Sequence, residues 1–152
     1  FSVFDLNLRP PHYSWEMLQK LILLSDFIKC NEEELNYLLE QFRIQETNLE
    51  QKLRVLLNSI DGKGICITLG DKGALLLWKD KLYRQAAFPI TVLDTVGAGD
   101  SFLATLLHGL ITHQDCNKCL LEACAMGALV ATKNGANPKI SEQDLLNFIA
   151  TH

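Results

Sequence analysis

An excess of positive charge is the first thing this sequence lacks. Its 14 lysines and arginines face 18 aspartates and glutamates, for a formal net charge of −4. That leaves no basic footprint for a nucleic-acid backbone. No apolar run reaches the roughly 20 residues that a membrane-spanning helix needs. Neither nucleic acid nor membrane is therefore expected as a partner. The string G-x-x-x-x-G-K-[ST] is missing, and no G-x-G-x-x-G opens the chain, so neither a P-loop nucleotidase nor a dinucleotide enzyme fits. An initiator methionine is missing too. Phe1 to Asp5 already reads as the middle of a buried strand, and the chain is expected to begin inside a domain.

Cysteines number five, an odd count, and Cys30 and Cys66 lie in strand-like apolar runs. Reduced thiols in a cytoplasmic protein fit that usage best. His113, Cys116, Cys119 and Cys124 invite a zinc reading. Against it, Cys116, Cys119 or Leu120, Ala123 and Gly127 recur at helical spacing, and no second paired ligand cluster exists. Buried small hydrophobes are the better reading. What is present, 152 residues with 48% hydrophobic and 21% charged, suits one domain with a real core and argues against disorder.

The richest stretch is L-D-T-V-G-A-G-D-S-F, Leu93 to Phe102. It follows a strand-like run, Phe88 to Leu93, and leads into an almost wholly apolar helical run, Phe102 to Ile111. Two glycines, an alanine and an acid thus stand where a strand meets a helix N-terminus. The first amides of a helix have no partner within it, and the dipole places partial positive charge there, so the turn can hold an anion. Gly97 and Gly99 let the backbone come close to a ligand. Asp100 lies within reach of whatever the amides hold. An acid so placed can orient and deprotonate a hydroxyl attacking a phosphoryl group. The plainer alternative is a first-turn acid complementing the dipole beside an ordinary turn.

D-T-V-G-A-G-D-S-F resembles the C-terminal signature of the ribokinase-like (PfkB) carbohydrate kinases. The resemblance implies that Asp100 is the catalytic base and that the amides of Gly97, Ala98 and Gly99 form the anion hole around the transferring phosphoryl group. It makes Asp94 the acid that helps bind a monovalent cation, such as K+, under that loop. The earlier string F-D-L-N-L-R-P-P resembles the fructokinase and 2-keto-3-deoxygluconate kinase branch of that family. There Asn7 and Arg9 would face the substrate and phosphate end of the cleft, and arginine suits this because its planar fork meets phosphate oxygens bidentately.

Asn31 and Glu34, in N-E-E-E-L, form a capping box by spacing. They also resemble the family's N-x-x-E motif, which implies a magnesium-bound water and phosphate network. Magnesium keeps several waters, so one glutamate acting through water is enough. T-L-G-D-K-G resembles the family's nucleotide loop, which places Thr68 and Gly70 beside the ATP phosphates and Gly73 where the chain must be admitted. The alternative there is a strand-end turn. T-K-N-G-A-N-P resembles the adenine and cation loop, implicating Asn134 and Gly135. Where ribokinases tend to show serine after the proline, this chain has Lys139, whose ammonium would replace or repel a monovalent ion.

Between these strings the patterning is conventional. Ser14 is expected to cap a helix to about Leu24 with Leu18, Leu21 and Ile22 inward, and Thr47 with Glu50 to box a helix to about Ser59. Gly64 to Leu69 reads as a strand buried on both faces. Ala74 to Trp78 and Leu82 to Arg84 make a hairpin across K-D-K. The helix after Asp100 is apolar on nearly every side and should be buried, Asp115 or Asn117 caps the next, and Ser141 opens the last. Alternating strands and helices favour an α/β fold with a mostly parallel sheet. The resemblance makes it the three-layer α/β/α ribokinase-like fold, incomplete.

Residues 1–152 are expected to be the carboxyl-terminal, nucleotide-binding part of one kinase domain, without the N-terminal half and lid. The expected activity is ATP- and Mg2+-dependent phosphorylation of a primary hydroxyl of a small sugar, fructose above others. The alternatives are a sugar acid or nucleoside, or a non-catalytic nucleotide-binding module. Self-association is expected, because an unfinished sheet leaves apolar surface open.

Overall fold

Runs without alternation become strands here because they are covered on both sides. The computed structural model describes residues 1–112 and 114–152; His113, one of the zinc candidates, lies outside the described residues. Contacts divide the chain into two compact units, Phe1–Leu69 with Leu75–Tyr83, and Gly70–Ala74 with Arg84–His152.

The first unit holds β1 (Val3–Asp5), α1 (Trp15–Leu23), β2 (Phe27–Asn31), α2 (Glu32–Gln41), α3 (Leu49–Ile60) and β3 (Gly64–Thr68). β1 pairs with β2 and β2 with β3, both in parallel, with Asp5 opposite Lys29 and Asn31 opposite Thr68. Four of the five residues in β2 and in β3 are buried, as parallel strands under helices should be. β4 (Ala74–Trp78) and β5 (Lys81–Gln85) extend the sheet in the order β1-β2-β3-β4-β5. Lys79 and Asp80, both at positive φ, form the two-residue turn between them, which requires antiparallel pairing. The K-D-K hairpin is therefore as read, and the sheet is α/β and mostly parallel.

Leu18, Ile22, Ile28, Leu38, Leu53, Leu56, Ile65, Ile67 and Leu77 make the core of this unit, none more than 2% exposed. Two details differ from the patterning. Leu21, expected inward on α1, is 41% exposed. The cap of α3 is Asn48, whose Oδ1 accepts the Gln51 amide, and not Thr47. Asparagine outranks threonine as a cap, and Glu50 pairs with Arg54 at 2.7 Å instead of reaching back.

The second unit is built on α4 (Ala98–Ile111), α5 (Cys116–Ala131) and α6 (Glu142–Thr151). Small residues let α4 and α5 lie close: a Cβ on Gly109 would stand 2.5 Å from Cys119 Sγ, and one on Gly127 3.2 Å from the Ala98 carbonyl. Asp115 caps α5 and Ser141 boxes α6 with Asp144. Phe88 to Leu93 is not a strand. Pro89 offers no amide to a ladder, and the Leu93 and Asp94 amides turn to the Ala131 carbonyl at the end of α5. α4 is less buried than its composition suggested. It covers Phe102, Leu106, Gly109 and Leu110 but leaves Ile111 61% exposed.

Candidate active site

In the first unit the candidate residues gather where the parallel strands end, the usual place for a ligand on an open α/β sheet. Asn31 closes β2 and caps α2: its Oδ1 accepts the Glu34 amide, and Glu34 Oε2 accepts the Asn31 amide, each at 2.8 Å. The capping box is therefore complete. Glu34 Oε1 accepts a third amide, that of Leu8, also at 2.8 Å. Asn7, at φ 42°, and Arg9 flank Leu8; both are exposed, with Arg9 Nε 3.5 Å from Asn7 Oδ1. Thr68 pairs with Asn31 across the sheet, and its Oγ1 lies 3.5 Å from the Cys30 carbonyl.

Beneath them Lys29 Nζ stands 3.1 Å from both oxygens of Asp5. The pair went unread in the sequence. Its signal was a lysine in the buried run F-I-K-C, which a folded chain does not leave unpartnered. Each Glu34 oxygen holds one amide and keeps a lone pair. That suits a carboxylate reaching magnesium through water better than one coordinating it directly.

In the second unit Gly97 precedes α4 at φ 80°, and no side chain caps the helix. The 14-residue helix therefore starts with no side chain on its first amides, at the positive end of its dipole, although the Ala98 amide donates to the Thr95 carbonyl at 3.2 Å. Gly97 and Ala98 are half-buried, while Gly99 and Asp100 are exposed in the first turn. Asp94 Oδ1 accepts the Val96 amide at 3.0 Å and its Oδ2 the Gly135 amide at 3.2 Å. Those two bonds, Val96 first, hold the Asp94 carboxyl below its ordinary range. Gly97 also lies against Ala136, whose carbonyl would collide with any Cβ there. The structure thus joins the loop of Asp94 and Gly97 to that of Asn134 and Gly135.

Gly70 has open space where a side chain would stand; Gly73, at φ 99°, is packed against the Gln85 carbonyl. Lys139 is exposed. Burial pushes the thiol of Cys119 up to about 11 and that of Cys124 up to about 12, and raises that of Cys30. Among the described residues no three His, Cys, Asp or Glu side chains cluster to hold a metal, and no helix is long and apolar enough to cross a membrane.

A family model described as pfkB family carbohydrate kinase matches residues 1–143. Probable fructokinase-3 of Arabidopsis thaliana is 30% identical over 159 residues, covering 96% of this chain and 45% of the plant protein. Fructokinase from Vibrio cholerae O395, solved with fructose, ADP and calcium ion bound, is 30% identical. It superposes with a TM-score of 0.75 over 97% of this chain and 50% of its own. The 2-dehydro-3-deoxygluconokinase of Thermotoga maritima, at 22% identity, shares the fold with a TM-score of 0.82, over 97% of this chain and 49% of its own. The chain spans about half the length of these relatives.

Proposed function

Because this chain belongs to the pfkB family of carbohydrate kinases, we propose that its parent protein transfers the γ-phosphoryl group of ATP to a primary hydroxyl of a small sugar, fructose above others. Residues 1–152 then supply the nucleotide-binding, carboxyl-terminal part of a single ribokinase-like domain, and by themselves turn over no sugar. The observation that carries the reading is the start of α4. There a left-handed Gly97, a helix N-terminus without a side-chain cap and the exposed carboxylate of Asp100 occur within four residues.

In this mechanism the amides of Gly97, Ala98 and Gly99 receive the charge that spreads over the phosphoryl oxygens as the bond to the leaving group lengthens. Asp100 orients the sugar hydroxyl in line and accepts its proton late, when that proton has become acidic. Positioning and fixed dipoles contribute most of the rate. Magnesium, when bound, screens the phosphate charges; Asn31 and Glu34 are the residues that would hold its water shell. Thr68 and Gly70 lie beside the phosphates, with Gly73 admitting the chain of the nucleotide loop, and Asn134 and Gly135 border the adenine. Asn7 and Arg9 face the acceptor.

Asp94 would help bind a monovalent cation under the loop before α4, but Lys139 follows Pro138, and its ammonium would replace or repel that ion. Sugar acids and nucleosides are the other acceptors to weigh; the string from Phe4 to Pro11 speaks for sugars over nucleosides, and the fructokinase relatives favour fructose. Coupled ADP release by the full-length kinase, compared over fructose, 2-keto-3-deoxygluconate and a nucleoside, tests the proposal. The highest kcat/KM should fall on fructose, and turnover with none of the three would sink the kinase reading.

A further inference from the structure

The Glu34 carboxylate serves two segments at once. Oε2 accepts the Asn31 amide and closes the cap of α2, while Oε1 accepts the Leu8 amide, 26 positions away in sequence. A capping box needs only the first of these bonds. Glu34 is 8% exposed, and hydrogen bonds to an ionised group shielded from water are among the stronger ones.

What the second bond holds is the strap that carries Asn7 and Arg9. Up to Leu6 the strap is part of the sheet, with the Leu6 amide on the Lys29 carbonyl at 3.0 Å and Lys29 Nζ on both oxygens of Asp5. Asn7 then turns through a left-handed conformation, which asparagine tolerates better than most residues. Leu8 is where the chain is caught again. The residues on either side of that anchor are the two that face the acceptor in the reading above.

We propose that Glu34 is a positioning residue for Asn7 and Arg9, holding their strap through the Leu8 amide, beside its place near the metal. The proposal rests on the reading of Asn7 and Arg9 as acceptor-side residues. One carboxylate then links the acceptor side of the site to the magnesium side. Its loss should damage sugar binding in a way that added metal does not repair.

The test uses the complete kinase, with hydrogen exchange at Leu8 measured without ligands, and with fructose KM and kcat measured over a magnesium series. In Glu34→Ala, Leu8 exchange should rise about ten- to a hundredfold, the weight of one hydrogen bond to a charged group. Glu34→Gln, with one acceptor oxygen left for two amides, should fall between. Asn31→Ala breaks the cap but leaves Oε1 in place, so Leu8 exchange there should stay at the wild-type rate. Fructose KM in Glu34→Ala should rise about tenfold and stay high as magnesium is raised. Unchanged Leu8 exchange in Glu34→Ala overturns the proposal, and so does a fructose KM that high magnesium returns to the wild-type value. If the wild-type enzyme phosphorylates no sugar, it is the kinase reading that fails, and the acceptor role of the strap goes with it.

Discussion

Asp94 and Gly135, 41 positions apart, are joined by a hydrogen bond of 3.2 Å from the glycine amide to the aspartate Oδ2. The bond ties the turn before α4 to the turn after α5. With both oxygens accepting amides, the folded carboxyl is held below its unfolded range of about 4. A depressed folded pKa gives stability that is fully present above the unfolded value and is lost as pH falls through the folded one. The protection of the Gly135 amide, its exchange rate taken against the intrinsic rate at each pH, should therefore fall as pH drops below about 4. Asp94→Asn keeps an acceptor for Val96 but turns a donor toward Gly135. In that variant Gly135 exchange should be fast already at pH 7 while Val96 stays protected. Equal protection of Gly135 in both proteins would show that the staple does not hold the loop.

Gly97 and Gly135 have similar left-handed backbones, φ 80° and 84°, but different surroundings. A Cβ on Gly97 would run into the Ala136 carbonyl, whereas one on Gly135 meets nothing within 4 Å. Alanine at either position bears the left-handed penalty of about 1–2 kcal/mol. Gly97→Ala must also push the two loops apart, adding roughly 1–3 kcal/mol as overpacking does. Urea unfolding should rank wild type above Gly135→Ala and Gly135→Ala above Gly97→Ala. Equal loss at both positions would mean that the Ala136 contact carries no energy.

Legibility followed sequence distance. The Asn31–Glu34 box and the hairpin at Lys79–Asp80 were readable because their partners lie within a few residues. The Leu8–Glu34 and Asp94–Gly135 bonds were not, because nothing local marks a backbone amide as the partner of a distant carboxylate. Phe88 to Leu93 misled because its strand-like apolar run outweighed Pro89, which a strand ladder cannot use. At Thr47-Asn48 two good caps stood side by side, and spacing to Glu50 favoured the wrong one. Leu21 lay on the apolar stripe of α1 by period, but no element of the first unit covers it.

That uncovered stripe has a consequence for association. Met17, Leu21 and Leu24 share one side of α1 at 45%, 41% and 75% exposure. β1 is at the edge of the sheet, and unpaired edges invite pairing. The chain is expected to self-associate through this face. Light scattering near 100 μM, a concentration at which weak edge contacts are populated, should give a mass well above the 17.1 kDa of one copy. Leu21→Lys with Leu24→Lys should return it to one copy. A wild-type chain that stays monomeric at that concentration rules the association out.

The central claim is that Asp100 is a base and not a first-turn acid serving the helix dipole. Asp100→Asn in the full-length kinase keeps the size of the side chain and one acceptor oxygen, and removes its charge and its capacity to take a proton. Coupled ADP release with saturating fructose should fall by about two to four orders of magnitude, the range for a positioned general base. ATP binding by calorimetry should stay within about twofold of wild type, because the amides of Gly97 to Gly99 and the Asn134–Gly135 loop are untouched; that margin is under about 0.4 kcal/mol. An Asp100→Asn enzyme that phosphorylates fructose at the parent's rate would contradict the proposed chemistry outright.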